Sequence, residues 1–125
     1  MPQTTQRFRT ALEARDADAA VALLADDVAF RSPVVFKPYH GREAVRGILA
    51  AVSRVFDDWR CVREIGAPEG HDHAIVFQAH IGDRHVEGCD FLHFDADGSI
   101  DEFYVMVRPL SGALALADAM KAQLT

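Results

Sequence analysis

One acidic residue occupies a position where its strand calls for an apolar one. In the segment Arg84–Asp95 (RHVEGCDFLHFD) side chains alternate, so Val86, Gly88, Asp90, Leu92 and Phe94 share one side of a strand. Four of these are apolar or small, and the fifth is a carboxylate. An acid facing a hydrophobic interior must find a partner, take up a proton or line a cavity. Desolvation raises the pKa of an aspartic acid above its usual value of about 3.9, so that it donates a hydrogen bond as a neutral acid or acts as a base toward a bound molecule. The same residue tied to a backbone amide, an Arg or a Tyr would be purely structural. The pattern alone leaves both readings open.

Ser32, Tyr39, His40 and Trp59 are further groups that could orient a substrate beside such an acid. Each also has a plainer explanation: Trp59 as core filling at a strand start, Tyr39 and His40 as solvated loop residues. Six histidines raise the question of a metal, and His71-Asp72-His73 brings two imidazoles together. That pair lies in a Gly-flanked turn with no third ligand at a diagnostic spacing, so neither a metal nor a cofactor is expected. Asp95-Ala96-Asp97-Gly98 lacks the remaining ligands of a calcium loop and reads as a hairpin turn. Cys61 and Cys89 fall in strands without close spacing, as reduced thiols of a cytoplasmic protein would.

The elements that must position these groups follow from hydrophobic spacing. Phe8, Ala11, Leu12 and Arg15 mark a first helix closing near Ala14–Arg15, and Asp16 caps a second over Ala17–Ala25. Asp26–Asp27 stop it, and Val28–Pro33 alternates as a strand with Val28, Phe30 and Ser32 on one face. A loop Val34–His40 leads to Gly41 and the longest helix, Arg42–Phe56, with Val45, Ile48, Leu49, Val52 and Phe56 inward. Strands Trp59–Ile65, His73–Ile81, Arg84–Phe94 and Ile100–Arg108 follow as a meander. Pro109 ends the last strand. A short closing helix over Ser111–Leu124 is read from Leu110, Ala113, Leu114, Ala117, Met120 and Leu124. Helices segregated against a mostly antiparallel sheet make an α+β domain, and a sheet curled around the long helix leaves a cavity at its open end.

With Gly82–Asp83 as the hairpin loop, Ile81 opposes Arg84, Ala79 opposes Val86, Phe77 opposes Gly88 and Ile75 opposes Asp90. Two alternations thus agree on a dry inner face holding one acid. The other face carries Gln78 beside Glu87 and His80 beside His85.

Composition sets the outer limits. The 125 residues suit one domain, 1–125, half of them apolar and 26% charged, with a core large enough to fold without staples. A net charge of −6 speaks against nucleic acid as a partner. The opening MPQTTQRFRT has no secretory apolar stretch, and no segment is long enough to cross a membrane.

The run ARDADAAVALLADDVAFRSPV (Ala14–Val34), Gly-Arg-Glu (Gly41–Glu43) and EGCDFLHFDADGSIDEFYVMVRPL (Glu87–Leu110) resemble nuclear-transport-factor-two-like domains, above all the SnoaL-like branch. The resemblance covers nearly the whole chain. It implies a cone-shaped, cystatin-like α+β fold, open to a small hydrophobic metabolite and often a homodimer through the outer sheet face. The superfamily includes steroid isomerases, scytalone dehydratase, limonene-epoxide hydrolase, polyketide cyclases and members without catalysis. Against the steroid isomerases, Asp90 matches their protonated oxyanion-hole aspartate. Their tyrosine donor falls on Phe8 and their general-base aspartate on Ser32. A serine hydroxyl is too weak a base for their reaction, which speaks against steroid isomerisation by that mechanism.

Three functions stay open: binding of an apolar metabolite, isomerase, dehydratase or cyclase chemistry with Asp90 as acid or base, and a non-catalytic dimerisation module. By the family's parity, Phe103, Val105 and Val107 point into the cone while Tyr104, Met106 and Arg108 join His80, His85, Cys89, Phe91 and His93 outside. The expected pocket is therefore Phe30, Ser32, Tyr39, Trp59, Ile75, Phe77, Leu92, Phe103 and Val105. An exposed patch of Phe91, Tyr104 and Met106 calls for a two-fold partner. Protonation of the His80–His85 pair, near the ordinary imidazole value of about 6.5, would then weaken association.

Overall fold

Breakers and apolar stripes together decide where each element runs in the computed structural model, which describes Pro2 to Leu124. Helix α1 (Pro2–Glu13) buries Phe8 and Ala11 and gives way at Arg15, whose φ of 58° leaves the helical region. The Asp16 carboxylate then accepts a hydrogen bond from the Ala19 amide at 3.0 Å and starts α2 (Ala17–Val21). Helix α3 (Arg42–Val55) follows Gly41 and buries Val45, Ile48, Leu49, Ala51 and Val55. Its spacing gives one apolar face, which packs toward α2, α4 (Leu110–Leu124) and the first strand.

Six strands make one sheet: β1 (Leu24–Arg31), β2 (Tyr39–His40), β3 (Asp57–Ile65), β4 (Asp72–Ile81), β5 (Arg84–Phe94) and β6 (Ile100–Arg108). Their order is β2-β1-β6-β5-β4-β3, with β1 parallel to β6 and every other pairing antiparallel. The fold is thus α+β, a curved and unclosed sheet with the helices gathered on its concave side. The β4–β5 register runs from Asp72↔His93 to Ile81↔Arg84 without a slip and includes all four expected pairs. Among the described residues no helix is long and apolar enough to cross a membrane.

Several boundaries differ from the sequence reading. Helix α2 stops at Val21, and the chain from Leu24 onward is already strand, because β6 captures it: Ile100 donates its amide to the Leu23 carbonyl at 3.0 Å. Asp26 and Asp27 sit in a register shift inside β1 instead of ending a helix. Ser32 lies just beyond β1, since its Oγ accepts the amides of Val34 (3.0 Å) and Val35 (3.2 Å) and bends the chain into a turn. The expected loop contains β2. The closing helix is not short: α4 has 15 residues against 14 for α3, as nothing after Pro109 interrupts its Ala- and Leu-rich run. Its buried side also differs, with Leu116 buried while Leu110 and Leu114 are exposed and Ala113, Ala117 and Met120 are half-buried; the side chain of Leu124 lies outside the described residues.

Candidate ligand cavity

The hairpin register places Asp90 between Ile75 on β4 and Val105 on β6, both inward-facing. Only 4% of the residue is exposed. Burial alone pushes its carboxyl up to about 8, with no hydrogen bond or cation acting on it. Among the described residues no donor reaches the carboxyl, so it is neither tied to a backbone amide nor paired with Arg or Tyr. It is therefore mostly a neutral acid at neutral pH.

The carboxyl borders a cavity of about 340 Å³. Phe30, Phe103 and Val105 supply one wall from β1 and β6, and Phe77 and Trp59 another from β4 and β3. Ile48, Leu49 and Val52 of α3 form the roof, with Leu12 of α1 and Phe56. The turn Ser32–Val35, Tyr39, and Leu116, Ala117, Met120 and Lys121 of α4 complete the enclosure. Aromatic rings dominate the lining: Phe30 lies 5.0 Å from Phe103 and 6.1 Å from Tyr39, and Trp59 stacks on Phe77 at 5.3 Å. Such a mostly apolar hollow with one convergent polar group is the usual form of a small-molecule site.

Of the residues expected in the pocket, Phe30, Ser32, Tyr39, Trp59, Phe77, Phe103 and Val105 line the cavity. Ile75 and Leu92 do not. They share the inner face but lie in solid core, 0% and 1% exposed, where α1 covers the sheet and Phe8 meets Phe103 edge-on at 5.1 Å. His40 is exposed, because strand alternation turns it away from the side on which Tyr39 pairs with Phe30. The α4 contributors and the Val34–Val35 pair were missed by sequence reasoning. The inward spacing of Ile48, Leu49 and Val52 was visible, but not that it meets empty space.

His71, His73 and His93 are engaged in the fold. His73 donates Nε2–H to the Ala67 carbonyl at 2.7 Å and accepts the Thr5 hydroxyl on Nδ1 at 2.7 Å, which uses both ring nitrogens. His93 pairs with Asp101 at 2.6 Å, a hydrogen bond that raises the imidazole's pKa. Among the described residues no group of three or more His, Cys, Asp or Glu could hold a metal ion. On the outer face Phe91, Tyr104 and Met106 are 42%, 38% and 51% exposed, with the Phe91 and Tyr104 rings edge-to-face at 6.3 Å. His80 and His85 lie beside each other on the same face, ring centres 5.2 Å apart, and His80 also meets Asp58 at 3.2 Å.

Comparison with known proteins agrees with this architecture. The chain is 37% identical to a steroid delta-isomerase from Pseudomonas aeruginosa, with a TM-score of 0.92 over 98% of this chain and 90% of that one. It is 36% identical to an uncharacterized cystatin-like-fold protein from Silicibacter pomeroyi, with a TM-score of 0.92 over 97% and 84% of the two chains. A hypothetical protein with a ketosteroid isomerase-like fold from Catenulispora acidiphila, in complex with trimethylamine, shares the fold at 20% identity, with a TM-score of 0.70 over 92% of each chain. No curated protein matches the chain. The family model described as the SnoaL-like domain matches residues 5–103, and the chain belongs to that family.

Proposed function

We propose that this SnoaL-like domain, taken as one domain over 1–125, binds a small, mostly apolar metabolite in its cone. Asp90, as a neutral acid, donates a hydrogen bond to one carbonyl or hydroxyl oxygen of the guest. The observation that carries this reading is a carboxyl without a partner in the fold, set in the wall of an aromatic cavity. A buried donor left unmatched costs about 1–3 kcal/mol, so a ligand oxygen that satisfies it gains both affinity and orientation. The isomerase name belongs to the Pseudomonas protein. Here the position of its family's base is Ser32, whose hydroxyl oxygen is occupied by two backbone amides.

The test uses 2-acetylnaphthalene, a two-ring ketone whose oxygen can only accept. Its fluorescence on titration should report binding that weakens about fivefold or more in Asp90→Leu, the loss of roughly one hydrogen bond. Wild-type affinity should also fall above about pH 8, as the carboxylate replaces the donor. Binding that is indifferent to both the substitution and the pH would remove Asp90 from the site.

A second reading is supported by the position of the Asp90 titration near neutrality, where an acid–base catalyst is most useful. The same carboxyl would then protonate a carbonyl or hydroxyl oxygen in an isomerisation, dehydration or cyclisation. Asp90→Asn should abolish such turnover while leaving the fold intact. For assembly, the exposed aromatic and Met patch supports a homodimer through the outer sheet face. The free thiols Cys61 and Cys89 support a reducing, cytoplasmic setting.

A further inference from the structure

We infer that Trp59 is the specificity-determining partition of the cone: it sets how long a guest the cavity accepts and seals off a second, polar chamber. The inference rests on the cone being a ligand site. Behind the aromatic cavity lies another of about 320 Å³, between the end of α1, the start of α2, the last turns of α3 and the start of β3. Leu12, Leu49, Val52, Phe56 and Trp59 border both spaces and so stand between them.

Four of the five sit on the helices or at the end of α3, where Leu49 and Phe56 are 4% and 6% exposed. Trp59 is the largest, and it stands on β3, an edge strand. The pairing of β3 with β4 shifts register between Asp57 and Arg60, and Asp58 takes a φ of 54°. A bulge of this kind re-aims the neighbouring side chain. Here the indole is delivered onto Phe77, 5.3 Å between ring centres and 25° from parallel.

The far chamber differs in chemistry from the near one. Glu13, Arg15, Asp16, Ser53 and Asp58 border it, and the four charged residues are exposed to solvent, with Arg15 3.6 Å from Asp57 and Asp58 3.2 Å from His80. It would therefore take the tail of a longer molecule and leave the end of that tail hydrated. With the indole in place the accepted class is compact, one or two rings bearing an oxygen toward Asp90. Without it the class extends to ketones or alcohols with a linear tail.

Calorimetry on the full chain with 4-alkylacetophenones, methyl through heptyl, tests this. In the wild type affinity should rise about fourfold per methylene until the tail meets Trp59, and then stop rising. In Trp59→Ala the rise should continue for about two more methylenes or longer, a gain of about fifteenfold or more for the heptyl ketone. Trp59→Leu, which keeps an apolar side chain at the site should the alanine variant fail to fold, should break at an intermediate length. If the ketones bind but all three proteins break at the same length, Trp59 is no partition and the ligand site stands. If no ketone binds the wild type, the reading of the cone itself fails and the partition with it.

Discussion

At the scale of single residues, the chemistry concentrates in Asp90. Burial opposes its charged form alone, so the folded chain holds a proton that the unfolded chain releases above about pH 4. The stability this contributes is fully present below about pH 4 and is lost as pH rises toward about 8, by about 1.4 kcal/mol per pH unit between. Asp90→Asn has no such titration. The difference in unfolding free energy between wild type and Asp90→Asn, measured in urea from pH 5 to pH 8, should therefore shift steadily in favour of the variant. A difference constant across that range would mean that the acid is ionised in the folded state. Alternation over a single strand identified Asp90. The absence of a donor beside it was not legible in the sequence, because every candidate partner lies far from it along the chain.

At the scale of elements, two glycines let layers approach closely enough to build the cavity wall. A Cβ on Gly88 would lie 2.3 Å from Phe77 Cζ and 2.8 Å from the Met106 carbonyl oxygen, so glycine leaves the room in which Phe77 lies flat beneath Trp59. Gly88→Ala should force that ring aside and destabilise the fold by about 2 kcal/mol, with a lowered Tm in thermal denaturation. An unchanged Tm would mean that the ring has slack. At Gly112 an added Cβ would meet Val86 Cγ1 at 2.5 Å, so the glycine in the first turn of α4 is what lets that helix rest against β5. The β4–β5 hairpin was readable to the residue because its two-residue loop and its apolar alternation fix the same register. The ends of α2 and β1 were not, since the β6 backbone competes for Leu23 and Leu24 and wins over local helix propensity.

At the scale of the whole molecule, the sheet has one face sealed by helices and one left with an aromatic patch. Phe91, Tyr104 and Met106 stand in adjacent β5 and β6 positions, flanked by the His80–His85 pair. A two-fold copy of the same face would cover all of them at once. Tyr104→Glu would bury a charge at the centre of that contact, and sizing chromatography with light scattering should report a dimer for the wild type and a monomer for the variant. If the variant elutes at the wild-type mass, the contact lies elsewhere.

The sequence by itself determined what is local or strictly periodic: α3, the β4–β5 hairpin with its register, the inward parity of Asp90, and the alternation that sets Phe103 and Val105 opposite Tyr104 and Met106, while the family resemblance supplied which of those two sets faces inward. Backbone geometry and the 2.0 and 3.6 residue repeats allow few alternatives there. Only the tertiary structure decided that Ile75 and Leu92 lie in solid core while Phe77 and Trp59 border space, that α4 closes over the cavity, and that a bulge turns Trp59 between two chambers. Those outcomes depend on how far apart the layers stand, and that distance is set by side chains distant in the chain packing together.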